Sequence, residues 1–129
     1  MFKFHMPTRV FCGKGCLWEN KTEIVLGKRA LIVTGKSSGK KSGALDEVIK
    51  ILDEEKIPYH VYDKVENNPE INDMATGGDF ARQSGSDFII AIGGGSPLDA
   101  AKAIAVYATN PVGDDFALYD IFTGKYKNN

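Results

Sequence analysis

The sequence predicts an α/β domain, a doubly wound, mostly parallel sheet with helices on both faces. Residues 88–92, Phe-Ile-Ile-Ala-Ile, form an apolar run too short for a buried helix, bounded by Asp87 and glycine. Such a run fits a strand covered on both faces. A second run at residues 29–34 reads the same way. Between them lies a segment of helical period, with Leu45, Val48, Ile49 and Leu52 on one face and Asp46, Glu47, Lys50 and Asp53 on the other. Strands and helices thus alternate, the order that builds parallel sheets through right-handed crossovers.

Length and composition agree. A chain of 129 residues suits one domain, and 43% hydrophobic with 26% charged residues predicts a globular core rather than disorder. The 16 basic and 17 acidic residues nearly cancel, which gives no basis for nucleic acid or an acidic membrane as partner. No apolar run approaches the roughly 18 residues of a membrane span. The start, Met1-Phe2-Lys3-Phe4-His5, lacks the apolar core of a signal peptide, so the cytoplasm is the expected location. Cys12 and Cys16 flank a flexible Gly13 and Gly15, and no second pair completes a zinc site. Both are expected to be reduced.

Taken in order, residues 2–12 read as extended segments broken at Pro7, with Phe2, Phe4 and Met6 alternating with Lys3 and His5. Residues 16–26 are a weak helix candidate. The strand at 29–34 runs into Gly35-Lys36-Ser37-Ser38-Gly39-Lys40-Lys41-Ser42-Gly43, a loop of glycine, hydroxyls and lysine. A solvated connection is the ordinary reading of such a loop. At the carboxyl end of a parallel strand it also stands where open sheets bind ligands. Three lysines with no nearby carboxylate favour a phosphate there. A helix over 43–56 ends at Ile57-Pro58, and Tyr59 to Tyr62 begins another strand, His60 within it. Neither His5 nor His60 stands at metal-ligand spacing. Asn68 before Pro69 fits a turn or the cap of a helix over 70–84. In that helix Gly77-Gly78 interrupts the apolar stripe at a cost of about 1 kcal/mol each. Beyond Thr109-Asn110-Pro111, the side chains Phe116, Leu118, Tyr119, Ile121 and Phe122 are expected to fold back on the domain, before a polar end at residues 124–129.

The chain is organised around Gly93-Gly94-Gly95-Ser96-Pro97-Leu98-Asp99-Ala100-Ala101-Lys102, which follows the strand at 88–92. Ser96 suits an N-cap and Pro97 the first helical position, with Asp99 as a capping carboxylate and Lys102 one turn on. Leu98, Ala101, Ala105 and Ala108 are expected to form the packed face. A strand, a glycine turn and a capped helix offer free N–H groups to an anion such as a pyrophosphate. A tight turn that merely relieves strain fits the triple glycine as well. The usual dinucleotide fingerprint is incomplete, since Leu98 stands in place of its third glycine, and no P-loop lysine follows.

This ten-residue stretch closely resembles the cofactor signature of the iron-dependent alcohol dehydrogenases. Glycerol dehydrogenase and dehydroquinate synthase have a similar turn. Supporting matches are Met6-Pro7-Thr8-Arg9-Val10-Phe11 with Gly13, Ala30-Leu31-Ile32-Val33-Thr34-Gly35-Lys36 and Asn68-Pro69. Members of that family are nearly three times as long. The resemblance therefore implies that residues 1–129 are a single N-terminal, Rossmann-like nucleotide-binding domain without the helical metal-binding domain. It implies cofactor contacts at Gly35, Lys36, Ser37, Ser38, Asn68, Gly94, Gly95, Ser96 and Asp99. Gly35 stands where NAD-using members carry Asp, so NADP is expected ahead of NAD. Capping roles for Asn68 and Asp99 remain open beside these contacts. The metal, iron or another divalent ion, and its one Asp and three His ligands belong to the absent domain, as does the lining of an alcohol or aldehyde pocket. This chain is thus expected to supply no catalytic residue and no metal ligand, and to lack turnover alone. The alternative is a non-enzymatic truncated or split module that self-associates as a homo-oligomer or docks to another chain through surface left bare.

Overall fold

A computed structural model describes residues 1–127, with Ser38 described in its backbone alone. The polar end expected at 124–129 falls partly outside the described residues. Three strands, β1 (Ala30–Gly35), β2 (Tyr59–Val65) and β3 (Phe88–Ile92), form one sheet in the order β2-β1-β3. Both pairings are parallel, and Ala30 stands opposite Tyr59 on one side and Phe88 on the other. The parallel α/β architecture read from the sequence is present. Every residue of β1 is buried, which explains its unbroken apolar sequence.

The alternating side chains of β1 supply two cores. Ala30 and Ile32 join Leu45, Val48 and Leu52 of α3 (Ala44–Glu54) on one face. Leu31 and Val33 join Ala81 of α4 (Ile71–Ser84) and Ala100, Ala101 and Ile104 of α5 (Gly95–Thr109) on the other. Entry to the sheet is tied by Asp87, whose carboxylate accepts from the backbone N–H groups of Lys28 at 2.9 Å and Arg29 at 2.9 Å. Those two bonds hold its carboxyl below the ordinary aspartate value. Gly27 leaves room for it, since an added Cβ there would lie 2.6 Å from Asp87 Oδ1.

Several expectations give way to packing. In α3 the deeply buried partner of Leu52 is Ile51, and Ile49 is only half-buried. In α5 the buried face carries Pro97, Ala100, Ala101, Ala103, Ile104 and Tyr107. Leu98 is 42% exposed and Ala105 is exposed. Ile104 and Tyr107 have far more apolar area to hide than alanines, so they set the rotation of the helix. α4 runs through Gly77-Gly78 without a break. A Cβ on Gly78 would lie 2.5 Å from Tyr107 Cβ, and one on Gly77 2.7 Å from Ile104 Cδ1. The missing side chains let α4 and α5 close on each other.

The chain ends differ from expectation as well. Residues 1–12 form no strand and are exposed; extended backbone becomes a strand only beside a partner to bond. Residues 16–26 hold only one helical turn, α1 (Cys16–Glu19), and a 3₁₀ turn over Lys21–Glu23. Cys12 and Cys16 are free. Phe116 does fold back, meeting Ala103 and Tyr107, with Leu118 and Ile121 against them. Tyr119 and Phe122 instead stack on each other in solvent, 6.4 Å between ring centres. Among the described residues no helix is long and apolar enough to cross a membrane.

Candidate functional site

The carboxyl ends of all three strands open onto one cavity of about 540 Å³. Its wall is Gly35, Lys36 and Ser37 after β1, Val65, Glu66 and Asn67 after β2, and Gly94, Gly95, Ser96 and Pro97 after β3. The chain leaves β1 for β2 on one side and later returns past it to β3 on the other. The cavity therefore sits at a reversal of strand order, where open α/β sheets bind ligands.

The glycine turn is built differently from the expectation. α5 begins at Gly95 with Gly94 as its N-cap, and no side chain caps it. Ser96 and Pro97 are thus inside the first turn, and Asp99 is not a capping carboxylate. Gly93 is the residue the turn itself requires. Its φ of 140° is one that L side chains rarely adopt, and a Cβ would lie 2.7 Å from Pro97 Cγ. Gly94 and Gly95 have no such reason, because a Cβ on either would meet nothing within 4 Å among the described residues. The first N–H groups of a helix lack intrahelical acceptors, and Pro97 has none to offer. The N–H groups of Gly95 and Ser96 therefore stand at the cavity. A bare backbone cradle with partial positive charge and empty space above it suits a phosphate.

Of the other expected site residues, Gly35, Lys36 and Ser37 line the cavity. Ser38 begins α2 (Ser38–Lys41), a single helical turn inside the expected loop. Asn68 is outside the cavity wall, which carries Asn67 in its place. Nor does Asn68 cap α4, whose N-cap is Glu70; it turns the chain at a φ of 55°, a conformation asparagine tolerates. Asp99 is exposed and pairs with Lys102 at 3.2 Å, the pairing their spacing suggests.

The expectation of three lysines free of carboxylates is overturned for two of them, Lys36 and Lys40. Lys36 Nζ donates to Glu66 Oε1, and Lys40 Nζ donates to Asp63 Oδ2 at 2.7 Å. These bonds hold both carboxyl groups below their ordinary range. Both carboxylates come from β2 and its end, more than twenty residues away in sequence. An irregularity in the β1–β2 register aligns Gly35 with Val65. Lys36 and Glu66, each one residue further on, consequently face each other. An acidic residue ending a strand beside a lysine loop was a usable signal, but only once the pairing was known.

No three His, Cys, Asp or Glu side chains gather as a metal site among the described residues. The cavity and its glycine cradle define a Rossmann-like α/β domain. Over residues 7–129 the sequence matches the family of iron-containing alcohol dehydrogenases, and the chain belongs to it. It is 38% identical over 111 residues to an NADPH-dependent butanol dehydrogenase of Clostridium saccharobutylicum, covering 86% of this chain and 28% of that protein. It is 40% identical over 105 residues to NADH-dependent butanol dehydrogenase A of Clostridium acetobutylicum, covering 81% and 27%. The crystal structure of an iron-containing alcohol dehydrogenase from Thermotoga maritima superimposes with a TM-score of 0.88 at 42% identity, covering 99% of this chain and 35% of that one. The chain thus spans about a third or less of the length of these relatives.

Proposed function

We propose that this chain is the cofactor-binding part of an NAD(P)-dependent alcohol dehydrogenase, with the pyrophosphate at Gly94, Gly95 and Ser96 and the adenosine end at Gly35, Lys36 and Ser37. The observation that carries this reading is the pair Gly94-Gly95, which lacks side chains at the cavity rim where no described residue needs the space. When bound, the nicotinamide would carry a hydride to or from an alcohol or aldehyde. The residues here bind and orient it; no described cluster could hold the metal that would polarise the substrate, and turnover by this chain alone is not expected. NADP is preferred over NAD because the end of β1 offers Gly35 in place of a carboxylate, followed by Lys36 and Ser37.

The test is a fluorescence titration of the purified chain with NADPH and, in parallel, NADH. Saturable binding, tighter for NADPH, supports the reading. Tighter NADH binding at physiological salt overturns the preference, and robust alcohol oxidation by the chain overturns its inactivity. A second reading, a module that self-associates, is favoured by the exposed apolar side chains of Phe2, Phe4, Met6, Val10 and Phe11. A monomeric mass in solution would remove it.

A further inference from the structure

We propose that Glu66 weakens the preference of this cavity for a 2′-phosphorylated nucleotide by competing with the phosphate for Lys36. The inference rests on the nucleotide reading above and assigns one residue within it. Lys36 is the one cation, and Glu66 the one anion, among the described residues of the wall. They bridge the loops after β1 and β2, held opposite each other by the Gly35–Val65 alignment. Occupied by Glu66, Lys36 leaves the wall electrically neutral. Both side chains are well exposed, 64% and 61%, and exposed pairs of this kind exchange partners readily.

A nucleotide carrying only a 2′-hydroxyl leaves the pair intact. A 2′-phosphate brings nearly two negative charges and three acceptor oxygens. It displaces the carboxylate from Lys36 and then lies beside it as a like charge. Glu66 thus opposes the phosphate preference that Gly35 and Lys36 create. Lys40 is paired in the same manner with Asp63, but neither residue lines the cavity. That second pair, between α2 and β2, is a built-in control.

The experiment is calorimetric titration of the full chain with 2′,5′-ADP and with 5′-AMP, for the unsubstituted protein, Glu66→Gln, Asp63→Asn, Lys36→Met and the Lys36→Met/Glu66→Gln double variant. Glu66→Gln is expected to tighten 2′,5′-ADP about fivefold and to change 5′-AMP by less than about twofold. Asp63→Asn is expected to change neither by more than about twofold. Lys36→Met should weaken 2′,5′-ADP and abolish the gain from Glu66→Gln. An unchanged ratio of the two affinities in Glu66→Gln, or an equal gain in Asp63→Asn, overturns the proposal while 5′-AMP binding keeps the nucleotide reading. Failure of every variant to bind either nucleotide overturns both.

Discussion

At Gly78 an added methyl group would lie 2.8 Å from the Tyr107 carbonyl carbon and 2.9 Å from the Ala108 nitrogen, whereas at Gly94 or Gly95 it would meet nothing within 4 Å among the described residues. The two Gly-Gly pairs look identical in sequence. One is buried where two helices touch, and the other rims an open cavity. A glycine pressed against backbone answers to the fold. Gly94 and Gly95 answer to no described neighbour and face the cavity instead. The difference separates stability from binding at the level of single positions.

The sharpest way to break this comparison is Gly78→Ala. Backbone atoms cannot swing aside as a side-chain end can, so overpacking should cost about 2–3 kcal/mol. For a domain of this size that is a fall in melting temperature of about 10 °C, measured by circular dichroism. A melting point within about 2 °C of the parent would show that α4 and α5 are not so tightly apposed. Gly95→Val is the mirror experiment. Its melting temperature should stay within about 2 °C of the parent, while NADPH binding weakens about tenfold, near 1.4 kcal/mol. Loss of both together would contradict the separation. Gly77→Ala should fall between, since its nearest neighbours are side-chain atoms, Ile104 Cδ1 and Cγ1 at 2.7 Å, rather than backbone. A cost of about 1 kcal/mol is expected, read as a melting shift roughly half that of Gly78→Ala or less.

The smallest effect belongs to Gly27 and Asp87, where a glycine makes room for a carboxylate. Asp87 has its folded-state pKa depressed by the N–H groups of Lys28 and Arg29. Its stabilisation is therefore fully present above its unfolded value near 3.8 and is lost as pH falls through the lower folded value. Asp87→Asn should destabilise the protein at pH 6 and approach the parent at the acid end of that window. Melting curves recorded from pH 6 downward check this; a constant difference at all pH values would assign the effect to shape rather than charge.

How much of this was legible beforehand varied with the range of the interaction. β1 could be read directly, because a strand buried on both faces needs an unbroken apolar run; β3 was found by the same signal, although at the sheet edge four of its five residues are only half-buried rather than covered on both faces. The wall from Gly94 to Ser96 was equally legible, since a turn between strand and helix is a local matter. The capping scheme around Ser96 and Asp99 failed by two residues: the N-cap is Gly94, the helix starts at Gly95, and no side chain reaches back. The Lys36–Glu66 pair was not legible, because it depends on a register irregularity between strands thirty residues apart. Gly77-Gly78 was read as a weakness for the same reason. Its partner, Tyr107, lies on another helix, and only their approach turns a poor helix former into a good contact.

The position of β1 between its two partners also has a consequence in time. It is the first strand made and the last to be completed, since β3 ends 57 residues after it. At synthesis rates of 5–20 residues per second, Ala30–Gly35 waits roughly 3–11 s with one side unpaired. The bond from Asp87 to Arg29 can form only at the end of that interval. A nascent chain stalled before residue 87 would thus expose its most deeply buried strand to the cell.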